Sequence, residues 1–123
     1  MTMSPVFLAA ALFVSANAMA ADRGDAELEL AQAENAVQSA ERDDAARYAP
    51  GDLNEAHAML LTAHDAYDSR AWNDSARYAE RAKLSGVLAG ARSRQQRADI
   101  ATTEIERSVS TLRAQLGLPG GTP

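Results

Sequence analysis

Alanine and leucine punctuate the chain at helical intervals. Ala26, Leu30, Ala33, Val37 and Ala40 recur at alternating steps of four and three, so they share one helix face. Asp25, Glu27 and Glu29 crowd the start of this stretch, where the positive end of a helix dipole favours acids. A first helix is predicted from Asp22 or Gly24 to Tyr48. Its stripe loses phase at Asp43-Asp44, and Pro50-Gly51 ends it. Leu53, Ala56, Leu60, Ala63 and Tyr67 mark a second helix from Asp52 to Ser69. Asp52 is its expected N-cap, with Glu55 at the capping-box position. A third helix is expected to start at Asn73 or Asp74, stapled by Trp72.

The third helix carries two faces. Ala76, Ala79, Ala82, Gly86, Ala89 and Gly90 form a stripe of small residues that includes Lys83. A second stripe runs Leu84, Leu88, Ala91, Gln95, Ala98, Thr102, Ile105, Val109, Leu112, Leu116, in unbroken coiled-coil spacing. Leu84 and Gly86 lie about 200° apart at 3.6 residues per turn, so the two stripes face nearly opposite ways. Gly117 is a natural residue to follow a helix, and Pro119 bars continuation.

Strong helix formers dominate and no stretch after residue 20 alternates with period two, so the fold class is all-α. The short connections Tyr48–Asp52 and Ser69–Asn73 favour antiparallel neighbours, which gives an up-down-up set of hairpins with a long C-terminal helix. The alanines at sevenfold spacing, Ala33 with Ala40 and Ala56 with Ala63, are expected where helices approach most closely. The expected organisation is an alanine-rich bundle over 21–98, a helical extension over 99–117 and a disordered tail over 118–123. The string Ala46-Arg47-Tyr48-Ala49 returns as Ala76-Arg77-Tyr78-Ala79, a candidate short repeat.

Residues 1–20 change the picture from cytoplasmic to exported. Val6 to Val14 is an apolar core and Ala18-Met19-Ala20 a small-x-small cleavage site, although no Lys or Arg precedes them. The run is too short to span a bilayer. The expected product is periplasmic and not stably inserted in a membrane. With no cysteine it has no disulfide, thiolate metal site, thiol nucleophile or lipid attachment point.

The net charge of −5 is unevenly spread. Eight acids face three bases over 21–48, whereas six bases face two acids over 73–98. This implies internal complementarity first and an anionic ligand second. Arg92, Arg94 and Arg97 are the candidate anion contacts, with Glu41, Asp43 and Asp44 as their candidate partners within the chain. Export, the acidic total and the lack of interleaved aromatics argue against nucleic acid. His57 and His64 share one side of the second helix, but two turns separate them by roughly 10 Å along the axis. That is too far to share one ion, so they read as boundary residues and no metal site is assigned. Trp72, Tyr48, Tyr67 and Tyr78 fall near helix ends and read as plugs of a thin core. No nucleophile–base–orienter set is present, so no enzyme and no cofactor are expected.

The segment Ala45 to Ala91 resembles a known family, the domain of unknown function DUF4398. The residues that carry the likeness are Ala46, Tyr48-Ala49-Pro50, Leu53, Ala56, Leu60 and Ala63, followed by Ala76, Ala79-Glu80, Ala82, Ala89 and Ala91. The lead-in Ala26-Glu27-Leu28-Glu29-Leu30-Ala31 also fits. The resemblance implies an exported envelope protein of a Gram-negative bacterium and brings no activity, cofactor or catalytic residue. The hairpin Asn54 to Leu84 is in addition similar to a tetratricopeptide-type helix pair. Two functions are expected from these features. The first is a non-enzymatic periplasmic adaptor or structural protein, working through the seam of Leu84, Leu88, Ile105, Val109, Leu112 and Leu116 with itself or an envelope protein. The alternative is a small binding module or chaperone for an anionic, peptide or lipid ligand.

Overall fold

The computed structural model describes residues 20–120; the apolar run and most of the cleavage motif, within 1–19, and the last three residues lie outside them. The described chain is all-α. α1 spans Arg23–Arg42, α2 Ala45–Tyr48, α3 Pro50–Asp68 and α4 Trp72–Gln115. Contacts at both ends fix the directions. Ala21 N donates to Asn73 Oδ1 at one end of the α1–α4 pair, and Arg94 meets Asp43 at the other, so these helices run parallel. α3 runs antiparallel to both: His64 faces Glu34 and His57 faces Glu41.

The helix boundaries reflect local chemistry. Asp22 caps α1: its Oδ1 accepts from Asp25 N at 2.9 Å, and Asp25 Oδ2 accepts from Asp22 N at 3.1 Å. The first helix does not reach Tyr48 as predicted. It stops at Arg42, where the stripe loses phase, and Asp44 turns the chain with a left-handed φ of 61°. Aspartate tolerates that conformation better than most residues. The single turn of α2 follows and buries Ala45. Asp52 is not the cap of α3 either, and Glu55 completes no capping box. The helix begins two residues earlier because Pro50 suits its first position, having a preset φ and no N–H to leave unpaired. Pro50 therefore ends one helix by starting the next.

α3 ends in a Schellman motif: Ala71 N donates to Ala66 O and Arg70 N to Tyr67 O, both at 2.9 Å. Arg70 takes the left-handed φ of 60° that such a motif requires. α4 then starts at once, at Trp72, so neither Asn73 nor Asp74 is its N-cap; Ala71 is. Trp72 packs edge-on to Tyr67 at 5.0 Å between ring centroids. At the far end, Gly117 (φ 66°) and Leu118 donate back to Ala114 and Arg113, a second Schellman motif at the predicted stop. The recurring four-letter string occupies unlike places. Ala49 is a non-helical residue between helices and Ala79 lies within α4, so the two copies are not one structural unit.

The core is thin and lies along α4. Val37, Ala40, Ala45, Ala49, Leu53, Ala56 and Ala89 form one cluster; Leu30, Ala33, Ala63, Ala79 and Ala82 form the other. All four alanines at sevenfold spacing are buried. Parallel α1 and α4 approach closely at Gly86. A Cβ on Gly86 would lie 3.1 Å from backbone atoms of Ala36 and Val37. An alanine methyl buries little area, on the order of 1 kcal/mol at the usual rate per CH₂. Close backbone approach adds the dispersion contacts that larger side chains would otherwise supply.

Two serines of α4 are buried within this core. Ser75 Oγ donates to Ala63 O at 2.9 Å, and Ser93 Oγ donates to Asp43 O. Asp43 O lies at the end of α1, where carbonyls lack helical partners, so Ser93 satisfies a group the broken helix leaves over. Among the described residues no buried side-chain nitrogen or oxygen is left without a partner.

Candidate interaction surface on the long helix

α4 outruns the bundle. It continues as one helix to Gln115, although every described residue from Arg94 onward is exposed. This projecting part, 94–115, is roughly 33 Å long at 1.5 Å per residue. The small-residue face of α4 points inward: Ala79, Ala82, Gly86, Ala89, Gly90 and Ser93 are buried. The opposite face carries the predicted seam. Leu84 is 61% exposed, Ile105 64% and Leu116 72%; Leu88, Val109 and Leu112 are exposed as well. Leu84 and Leu88 lie alongside the bundle and the other four beyond it, so an apolar line, interrupted by Gln95 and Thr102, runs from Leu84 to the end of the helix. Leu118, just past the helix, lies with Ile105, Val109 and Ala114 along a shallow groove at the tip.

The predicted basic cluster lies where α4 leaves the bundle, and its charges are met within the chain. Arg92 Nη1 donates to both oxygens of Asp52 at 2.8 Å. Arg94 Nη1 meets Asp43, and Arg97 Nη1 lies 3.9 Å from Asp44 Oδ2. Lower on α4, Lys83 Nζ donates to Glu29 at 2.8 Å and to Gln32 at 2.9 Å. Glu41, grouped with the arginines in the sequence, faces His57 instead. A cleft beside the cluster is lined by Arg47, Tyr48, Arg94, Arg97, Ile100 and Glu104, with the Arg47 guanidinium 5.1 Å from the centre of the Tyr48 ring.

The histidines take part in a polar ladder between α1 and α3 that sequence reasoning did not assemble. Glu27, Glu34 and Glu41 recur every seventh residue of α1 and face Tyr67, His64 and His57 of α3. Each imidazole Nε2 lies 3.0 Å from its glutamate. The matching sevenfold spacings of the histidines and glutamates were the available signal. At the third rung the Tyr67 hydroxyl donates to Glu27, and Arg23 Nε donates to both at 3.0 Å. The hydrogen bond from Tyr67, and then that from Arg23, holds the Glu27 carboxyl below its ordinary range. The same contacts, Tyr67 first, push the Arg23 guanidinium up. Among the described residues no three histidine, aspartate or glutamate side chains converge as metal ligands. No described helix is long and apolar enough to cross a membrane.

Together these features define a small α-helical bundle whose longest helix extends past its core and presents an uncovered apolar line. Residues 28–105, more than half of the chain, match the domain of unknown function DUF4398, and the chain belongs to that family. The matched region begins within α1 and ends in the projecting part of α4. No curated protein matches. No solved structure matches either.

Proposed function

We propose that this protein is a non-enzymatic adaptor or structural protein of the periplasm, exported by cleavage after Ala20, that works through helix–helix contact along the outer face of α4. The observation that carries this reading is the continuity of α4 past Ser93, with an apolar line that nothing in the described chain covers. Large apolar side chains left exposed along one helix face support an interaction site there. The apolar run and cleavage motif support export, and the lack of cysteine supports an unlipidated product. The partner is a second copy or another envelope protein; no cofactor or nucleic acid enters this reading.

The test is Val109→Asp. Val109 lies on the apolar line, far from the core, so the charge should abolish self-association and capture of envelope proteins. The thermal midpoint of the bundle should stay where it is. Unaltered association in that variant would refute the reading. The cleft lined by Arg47, Tyr48, Arg94 and Arg97 favours a second reading, a small binding module for an anionic, peptide or lipid ligand. Under that reading Arg97→Ala weakens binding and Val109→Asp does not.

A further inference from the structure

We propose that the apolar line of α4 closes on a second copy of this chain, with the two α4 helices parallel and in register. The inference rests on reading that line as the working surface, and it adds the identity and direction of the partner. The first argument is access. Gly86, Ala89, Gly90 and Ser93 turn the opposite face of α4 into its own bundle. Two bundles can therefore sit on the outer sides of a parallel pair while the seams meet along their whole length, from Leu84 to Leu116. At about 1.5 Å per residue this is a contact roughly 50 Å long.

The second argument is the polar residues in the seam. Gln95 and Thr102 interrupt it among apolar neighbours. In a parallel pair in register, Gln95 meets Gln95 and Thr102 meets Thr102. Each side chain is both donor and acceptor, so it can hydrogen-bond to its own copy. In the antiparallel pair with the fullest overlap of the projecting parts, Gln95 falls opposite Leu112 and Thr102 opposite Ile105. Polar groups are then buried against apolar partners, which is unfavourable. A polar residue at one seam position is a known way of fixing register.

Charge on the flanks gives the same direction. In a parallel coiled coil, the residue preceding one seam position faces the residue five further on in the partner. This pairs Arg94 with Asp99 twice, by symmetry, and sets Ala101 against Glu106 and Ser108 against Arg113, with no like charges opposed. The contact of Arg94 with Asp43 uses Nη1, and a guanidinium has further donors. The antiparallel pair instead gathers Asp99 and Glu106 of both chains, four carboxylates, along one edge of its midpoint. At the tip, Val109 and Leu112 combine a β-branched residue with leucine in the positions that favour two strands.

The test takes advantage of a chain without cysteine. The protein, expressed from its full coding sequence, should show twice its chain mass by light scattering. Val109→Cys alone should form a covalent dimer under mild oxidation, because each Val109 faces its own copy. Asp99→Arg, at an exposed position without a core role, should raise the dissociation constant several-fold and leave the circular dichroism spectrum unchanged. A covalent dimer from Val109→Cys paired with Ala98→Cys, but not from Val109→Cys alone, would establish the antiparallel arrangement and overturn the proposal. A chain that stays monomeric at every concentration overturns it too. In that case, capture of another envelope protein that Val109→Asp abolishes leaves the adaptor reading standing, whereas capture that survives Val109→Asp removes both.

Discussion

Glu27 shows how much a single exposed contact can govern. Its carboxylate accepts from Tyr67 and Arg23, which ties the start of α1 to the end of α3. Its pKa in the folded chain is depressed below the ordinary value of 4.5. The ionised form is thus favoured by folding, and the contribution is present above about pH 4.5. It disappears as pH falls through the lower folded value, where the unfolded chain already holds the proton. Glu27→Gln should therefore flatten the dependence of thermal midpoint on pH between about 4.5 and the lower folded value. Melting curves taken from neutral pH downwards would show this; an identical acid limb in the variant would mean that the hydrogen bonds do not persist in solution. The side chain is about half exposed, so the effect is a change of slope rather than a large loss.

At the scale of elements, the question is what lets alanine-lined helices hold together. The answer at the α1–α4 contact is the absence of a side chain. Gly86→Ala would gain about 1 kcal/mol in helix propensity. Its Cβ, however, would meet the backbone of Ala36 and Val37 at 3.1 Å, and backbone within a helix cannot swing aside as a side chain does. The net result should be destabilisation by ~1–2 kcal/mol. Gly51→Ala is the matched control: nothing lies within 4 Å of its Cβ, and the change in the first turn of α3 should stabilise by about 0.5 kcal/mol. Urea denaturation of both variants would check the pair, and stabilisation by both would mean that α1 and α4 are not in close contact. These helices were legible because each buries one regular stripe, and the arginine–aspartate contacts were foreshadowed by the segmental charges. Other features were not. The break at Asp43-Asp44 depends on a left-handed aspartate, and the end of α3 depends on a left-handed arginine where glycine would have announced it. Ser75 and Ser93 carry no sign of burial in their spacing, because a serine that donates to a carbonyl across helices looks the same in sequence as one facing water. Asp52 looked like a cap because the pattern of caps is local, whereas its actual partner, Arg92, is on another helix.

For the molecule as a whole, the bundle and the projecting helix stand on different footings. The bundle is held by its buried stripes and by ion pairs between helices. The projecting part of α4 has only the ion pairs of Arg94 and Arg97 at its base, and a helix in a protein owes most of its stability to tertiary packing. Its composition weakens it further. Thr102, Ile105 and Val109 are β-branched, and Thr103, Ser108 and Thr111 each donate a side-chain hydrogen bond to the carbonyl four residues back, at 2.9–3.0 Å. Such back-bonding slightly destabilises a helix. A partner that covers the apolar line would supply the missing stabilisation, so folding of 94–115 should be coupled to association. Amide exchange should therefore be fast over these residues in dilute solution and slow in α1 and α3. Raising the protein concentration should slow exchange in the projecting part and leave the bundle as it was, and Val109→Asp should remove that dependence. If exchange over 94–115 were as slow as in the bundle at every concentration, in the variant as in the original chain, the helix would be stable by itself. The apolar line would then need some other explanation than a partner.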